Sequence, residues 1–432
     1  MKNATIHPTP FTEHRLGNGL TVLLSEDHSA PLAALVVMYH VGSKNETRTR
    51  TGFAHLFEHL MFKGSRSVGD GEHFRLLQEI GASVNGSTSE DRTNYYEVVP
   101  STHLELALFL ESDRMGGLLE ALSQEKLDNQ RDVVKNERRQ SYDNQPYGRA
   151  HETLAAALFP ESHPYSWPVI GSMEDLSAAT LDDVRGFFSR YYVPANAVVS
   201  IAGDFLTHEA LRWVDEQFGS IHARPAPPPV SAPPVALNSP VRIVLEDRVQ
   251  LPRLYMSWHA PAMNTQGDAV RDILTNLLAV GRSSRLHRKL VFQEQLAQSV
   301  VAYQDGMELG GVTSIVATAR PGFSCEQLEQ SIRSILSSVA EGGITGLEFD
   351  AARSAAEVHH AGSRVTALQR ANGLATYRTL TGDAGNFSTH VRRFDSITPE
   401  DIAEAAATLL RDPAVVLNVI PGNPDAGARR TP

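Results

Sequence analysis

Apolar residues alternate with polar ones, or run uninterrupted, over Thr21–Leu24, Ala33–His40, Arg242–Leu245 and Leu254–Trp258, and each run reads as a strand. Three longer segments, His103–Leu122, Asp182–Tyr192 and Cys325–Val339, repeat their apolar residues at the period of a helix with one buried stripe. The same order occurs twice: two strands, a series of helices, then a helix followed by a strand. Ala179-Thr-Leu-Asp-Asp-Val184 leads to Ala197-Val-Val-Ser-Ile-Ala-Gly203, and Ile397-Thr-Pro-Glu-Asp-Ile402 leads to Ala414-Val-Val-Leu-Asn-Val-Ile-Pro-Gly422. An internal duplication is the simplest account, and the expected class is α+β in two homologous halves.

Between the halves, Arg224–Pro240 carries seven prolines. Proline resists both helix and central strand, so this stretch predicts an extended, semi-rigid spacer. The domain reading is therefore 1–222, a linker over 223–240, and 241–432. A chain of 432 residues with 41% hydrophobic content is too long for one ordinary core, which agrees with that division.

A formal charge of -11 and the lack of clustered Lys and Arg argue against nucleic acid as partner. The single cysteine, Cys325, has no His or second Cys beside it and reads as structural. Met1–Phe11 lacks a basic region followed by an apolar run, and no stretch reaches the eighteen or so apolar residues of a membrane span. The expectation is a cytoplasmic chain with no membrane span, with the periplasm left open.

Chemistry concentrates in His55-Leu56-Phe57-Glu58-His59. Residues three and four apart are neighbours on a helix, so His55 and His59 can hold one metal ion while Glu58 leans toward whatever that ion binds. Gly52 and Gly64 bracket a short helix in which Phe53, Leu56, Leu60 and Phe62 can pack inward. Aligning Gly64 with Gly281 places Asp272, Thr275 and Asn276 where the first half has His55, Glu58 and His59, so only the first copy can hold zinc in this way.

Two imidazoles call for a third donor. Glu137 is the candidate, because its segment reads as a helix and its counterpart in the duplicate is Glu357; other carboxylates lie on the way, including Glu79, Glu90 and Glu111, and these read as solvated surface groups. Two neutral imidazoles and one carboxylate leave a bound Zn2+ with net positive charge, the arrangement that acidifies water and polarises a carbonyl. With Glu58 as proton acceptor, the chemistry is amide hydrolysis. His359 and His360 point in different directions on a helix and read as solvated, and His151 and His163 read as structural.

HxxEH is the inverted form of the commoner zinc-protease signature, and the chain resembles the pitrilysin, insulinase and mitochondrial processing peptidase family. Further matches are Val41-Gly42-Ser43, Glu46, Gly52-Phe-Ala-His55, Met61-Phe62-Lys63-Gly64, Gly81-Ala-Ser-Val-Asn85, Arg92-Thr-Asn-Tyr95-Tyr96 and Glu137. The resemblance implies α/β-roll domains with antiparallel-rich sheets and flanking helices, two bowl-like halves closing as a clam-shell chamber, zinc on His55, His59 and Glu137, and Glu58 as general base. It also implies that extended peptides add as a strand to the edge at Ala82–Thr88, with Asn85, Ser87 and Tyr96 as substrate-binding residues.

Three departures stand out. The 77 residues between His59 and Glu137 exceed the family spacing by one, and Gln130 stands where a second acidic residue is common. Members that act alone resemble one another in an Arg and a Tyr of the second half that close over the substrate carbonyl, whereas this chain has Val291 and Gln298. The resemblance therefore implies the zinc-bearing subunit of a two-subunit, bacterial-type enzyme, a heterodimer whose paralogous partner supplies the Arg/Tyr pair. The competing expectation is a non-catalytic core or assembly subunit.

Overall fold

A computed structural model describes residues 8–431 of the chain, so residues 1–7, part of the Met1–Phe11 stretch scanned for a leader, lie outside the described residues. The first sheet contains β1 (Thr12–Arg15), β2 (Thr21–Glu26), β3 (Leu32–Tyr39), β4 (Ser83–Thr88), β5 (Thr93–Pro100) and β6 (Ala197–Gly203), in the order β1-β2-β6-β3-β5-β4. β6 runs parallel to β2 and every other pairing is antiparallel. β6 is buried along its whole length, which is why it reads as a continuous apolar run rather than an alternating one.

The second sheet contains β7 (Val241–Asp247), β8 (Arg253–Ala260), β9 (Ala297–Met307), β10 (Gly310–Ala319), β11 (Val415–Pro421) and β12 (Ala428–Thr431), in the order β12-β7-β11-β8-β10-β9. Its one parallel pair, β7 with β11, sits where β2 pairs with β6. The duplication read from the sequence is thus present strand for strand, the outermost place being filled by the N-terminal β1 in one sheet and by the C-terminal β12 in the other. Local capping repeats as well. The side chains of Thr180 and Thr398 accept the backbone N–H groups of Asp183 and Asp401, and the acidic side chains reach back, giving the same capping box at each repeated helix start.

By packing, the chain divides into two compact units, the first being Met1–Arg138, Trp167–Val230 and Ala361–Thr389, the second Arg139–Ser166, Ser231–His360 and His390–Pro432. The main break falls inside the proline-rich stretch, where residues 222–237 form no regular element. The two exchanged segments depart from the contiguous halves expected of a simple duplication. Their cause is apolar burial. Helix Ala150–Leu158 inserts Leu154 and Leu158 among Leu245, Tyr255 and Leu417 of the second sheet, and helix Ala367–Thr381 covers β3 and β6 of the first. Cys325 is 3% exposed, and burial pushes its thiol up to about 12, so it behaves as a small apolar side chain. Among the described residues no helix is long and apolar enough to cross a membrane.

Candidate metal centre

Helix Phe53–Leu60 begins at Gly52, whose φ of +86° suits glycine and where a Cβ would lie 2.7 Å from the Ile170 carbonyl oxygen. The buried Glu46 carboxyl accepts from the N–H groups of Gly52 at 2.9 Å and Ala54 at 2.8 Å, satisfying donors left open at the helix start. Phe53, Ala54, Leu56, Phe57 and Leu60 are buried. The Phe57 ring packs against Phe187 at 5.3 Å and Tyr192 at 5.2 Å, so Phe57→Ala should cost about 3–5 kcal/mol. Anchoring this face leaves His55, Glu58 and His59 together on the other.

The third donor arrives on helix Gln124–Arg138, which packs on Phe53–Leu60. Glu137 Oε2 lies 3.4 Å from His59 Nε2 and 3.8 Å from His55 Nε2. Donors about 2.05 Å from a tetrahedral zinc are about 3.3 Å from one another. The two separations from Glu137 are close to that value, and all three ligand atoms lie within 4.8 Å of one another. Their protonation suits zinc too. Burial, reinforced by His59, drops His55 to about 4, and the hydrogen bond from His59 holds Glu137 below the usual carboxylate range. Near neutral pH, then, the His55 ring is neutral and the Glu137 carboxyl ionised, the forms that ligate a cation.

Burial shifts Glu58 the opposite way, above the usual carboxylate range. Thr88, on edge strand β4, donates its hydroxyl to Glu58 Oε2 at 2.7 Å. Gly86, two residues earlier on the same face, makes room: a Cβ there would lie 3.0 Å from Glu58 Cγ. Neither residue was singled out from the sequence. The signal was the period-2 alternation of Ala82–Thr88, which puts Gly86 and Thr88 on one face and Ser87 on the other.

Asn85 joins Glu58, His59, Phe62, Phe74 and Gln130 around a cavity of about 280 Å3. Ser87 turns away, donating to Asn94 Oδ1 at 2.6 Å and accepting from Arg92, so Thr88 rather than Ser87 touches Glu58. Tyr96 stands across from Asn85 in the β4–β5 register and is partly exposed, whereas its neighbour Tyr95 is fully buried. Gln130 sits two turns before Glu137, which brings it to the same cavity.

Of the other carboxylates, Glu79 is exposed and paired with Arg75. Glu111 is not the solvated group expected: it is fully buried against Arg114, beside Glu97. His163 is buried, accepting the Tyr165 N–H at 3.1 Å. His360 departs from expectation as well, because its ring packs 3.7 Å from that of His390.

Two family models match, the insulinase model of peptidase family M16 over residues 21–167 and the M16 inactive-domain model over residues 178–356. The chain belongs to peptidase family M16. The first match contains His55, Glu58, His59 and Glu137, and the second contains Asp272, Thr275 and Asn276, which stand at the places of His55, Glu58 and His59. This M16 protein is 28% identical to zinc protease PqqE of Helicobacter pylori over 401 residues, 92% of this chain and 89% of that one. It is 25% identical to the uncharacterized zinc protease YmxG of Bacillus subtilis over 335 residues, 77% of this chain and 79% of that one. A crystal structure of a protease from Helicobacter pylori superposes with a TM-score of 0.90 and 27% identity over 96% of this chain and all of that chain. Pitrilysin shares the fold, with a TM-score of 0.81 and 20% identity over 99% of this chain and 48% of that one.

Proposed function

We propose that the chain is a zinc-dependent endopeptidase, with His55, His59 and Glu137 as metal ligands and Glu58 as general base. One observation carries the reading: three donors of zinc type converge within 4.8 Å of one another, and a carboxylate from the same helical turn as His55 and His59 stands beside them. Bound there, zinc would acidify a water and polarise the scissile carbonyl. Glu58 then accepts the water proton and passes it to the leaving amine, a task suited to a carboxyl whose acidity burial has weakened. Thr88 fixes the Glu58 rotamer through its hydrogen bond.

The substrate class is an extended peptide or unfolded segment. β4 pairs with β5 on one side only, so its free edge can take a peptide as a further strand beside the Asn85 cavity. A related subunit supplies the Arg and Tyr that Val291 and Gln298 replace. Arg282, Arg285 and Tyr303 are the nearby alternatives within the chain, and of these Arg285 has its guanidinium already committed to Glu348 and the Gly343 carbonyl. Peptide cleavage is measured with the purified chain alone and with its paralogue. Cleavage that needs both, and disappears in Glu58→Gln with metal retained, supports the reading; full cleavage alone defeats the partner requirement, and cleavage unaffected by Glu58→Gln defeats the mechanism.

A further inference from the structure

We propose that Asp272, His360 and His390 form a second divalent-cation site of zinc type, which fastens the chain on both sides of the 361–389 segment to helix Gln266–Ala279. Donor atoms of the three side chains lie within 4.8 Å of one another. They come from three places: the middle of helix Gln266–Ala279, the end of helix Gly346–Gly362, and the first turn of His390–Ser396. All three belong to the second compact unit.

The position within the duplication gives the cluster its meaning. Asp272 occupies the place of His55, and His360 stands one helical turn after Glu357, the counterpart of Glu137. The second half has thus lost the HxxEH donors yet assembles another pair of imidazoles and a carboxylate around the same helix. Two imidazole nitrogens and one carboxylate oxygen suit zinc and its borderline neighbours rather than calcium or magnesium, which favour oxygen ligands.

The surroundings favour a cation. Asp268 lies one turn before Asp272 on the same helix, adding a second carboxyl group beside the cluster. His390 is 5% exposed, and Phe394 lies 5.6 Å from its ring and 5.7 Å from that of His360. His360 is partly exposed, which leaves a route for water to complete the coordination sphere. The imidazoles are 3.7 Å apart and tilted by 32°, so drawing the donors together asks for side-chain rotation rather than backbone movement.

One group competes. Arg393 donates to His390 Nδ1 and contributes positive charge near Asp272. A metal taking Nδ1 replaces that guanidinium hydrogen bond; a metal taking Nε2 requires the ring hydrogen to move to Nδ1 and Arg393 to turn aside. Cation entry is therefore an exchange of Arg393 for the ion, and the site should bind less tightly than the His55, His59, Glu137 centre.

His360 is the last residue of the second unit before Ala361–Thr389 joins the first, and His390 is the first residue after it. An ion shared by both histidines and Asp272 closes that loop at its base. Binding only to the folded state, it raises thermal stability by mass action.

The test uses the full chain with His55→Ala and His59→Ala, which removes the first centre. Chelator-treated protein is titrated with Co2+ and Zn2+, followed by visible absorption, calorimetry and melting temperature. The expected result is about one equivalent bound, with a zinc-dependent rise in melting temperature, both lost on adding His360→Gln or Asp272→Asn. Failure of the double variant to bind stoichiometric metal, or binding indifferent to both added substitutions, overturns the proposal. Circular dichroism of each variant shows whether a loss is local, and because no readout uses peptide cleavage, failure here is separable from failure of the proposed peptidase activity.

Discussion

Helices Phe53–Leu60 and Gln266–Ala279 occupy matching places in two copies of one topology, yet only the first presents HxxEH. On the first, the apolar face is buried and His55, Glu58 and His59 are left on the far side. On the second, the matching Thr275 is 3% exposed and donates to the Asp272 carbonyl at 3.1 Å, while Asn276 donates to the Ala352 carbonyl at 3.4 Å. The polar groups there are consumed by packing. On the proposed reading the fold alone does not specify the chemistry; three side chains, a small residue on the adjoining strand and a carboxylate from another helix do.

The largest effect expected from breaking this contrast is that of His59→Ala, which removes a proposed metal ligand: metal analysis should show one equivalent lost, and cleavage should fall below detection. Glu58→Gln separates base from ligand. It should reduce kcat by about 10^2- to 10^4-fold with metal content unchanged, the span usual for loss of a positioned proton acceptor. Gly86→Ala, which brings a methyl within about 3.0 Å of Glu58 Cγ, should displace the base and reduce kcat/KM by about 10- to 100-fold without changing metal content or melting temperature.

Thr88→Val acts through acidity. Burial raises Glu58, and the Thr88 hydroxyl opposes that shift. Removing the hydroxyl raises Glu58 further, and because the base works only when ionised, the acid limb of the kcat/KM profile should move to higher pH. Turnover near pH 6 then falls more than turnover near pH 8, a pattern a loss of packing does not produce. The smallest effect sharpens the contrast from the other side. Thr275→Ala should destabilise by about 1 kcal/mol through its lost hydrogen bond and leave the first metal centre intact, as thermal melting and metal analysis read.

Much of this was legible in the sequence because it is local. Strand periodicity, the repeated capping threonines and the i, i+3, i+4 spacing of His55, Glu58 and His59 all follow from neighbours along the chain. What stayed hidden depends on long-range packing. The exchange of helices Ala150–Leu158 and Ala367–Thr381 follows from which sheet their apolar faces cover, which no local period specifies. Glu111 looked like a surface carboxylate because, although Arg114 is its i+3 neighbour, the burial of that pair beside the strand residue Glu97 comes only with the packed fold. His360 looked solvated because His390, thirty residues on, is brought beside it only after the chain has passed through the other unit.

Metal analysis of the folded chain beside His59→Ala, with peptide cleavage read on the same samples, tests the central claim most directly. The account predicts one equivalent of zinc fewer in the variant and cleavage lost with it. Equal metal content in the two proteins, or an intact chain that cleaves peptides with no metal bound, would contradict it.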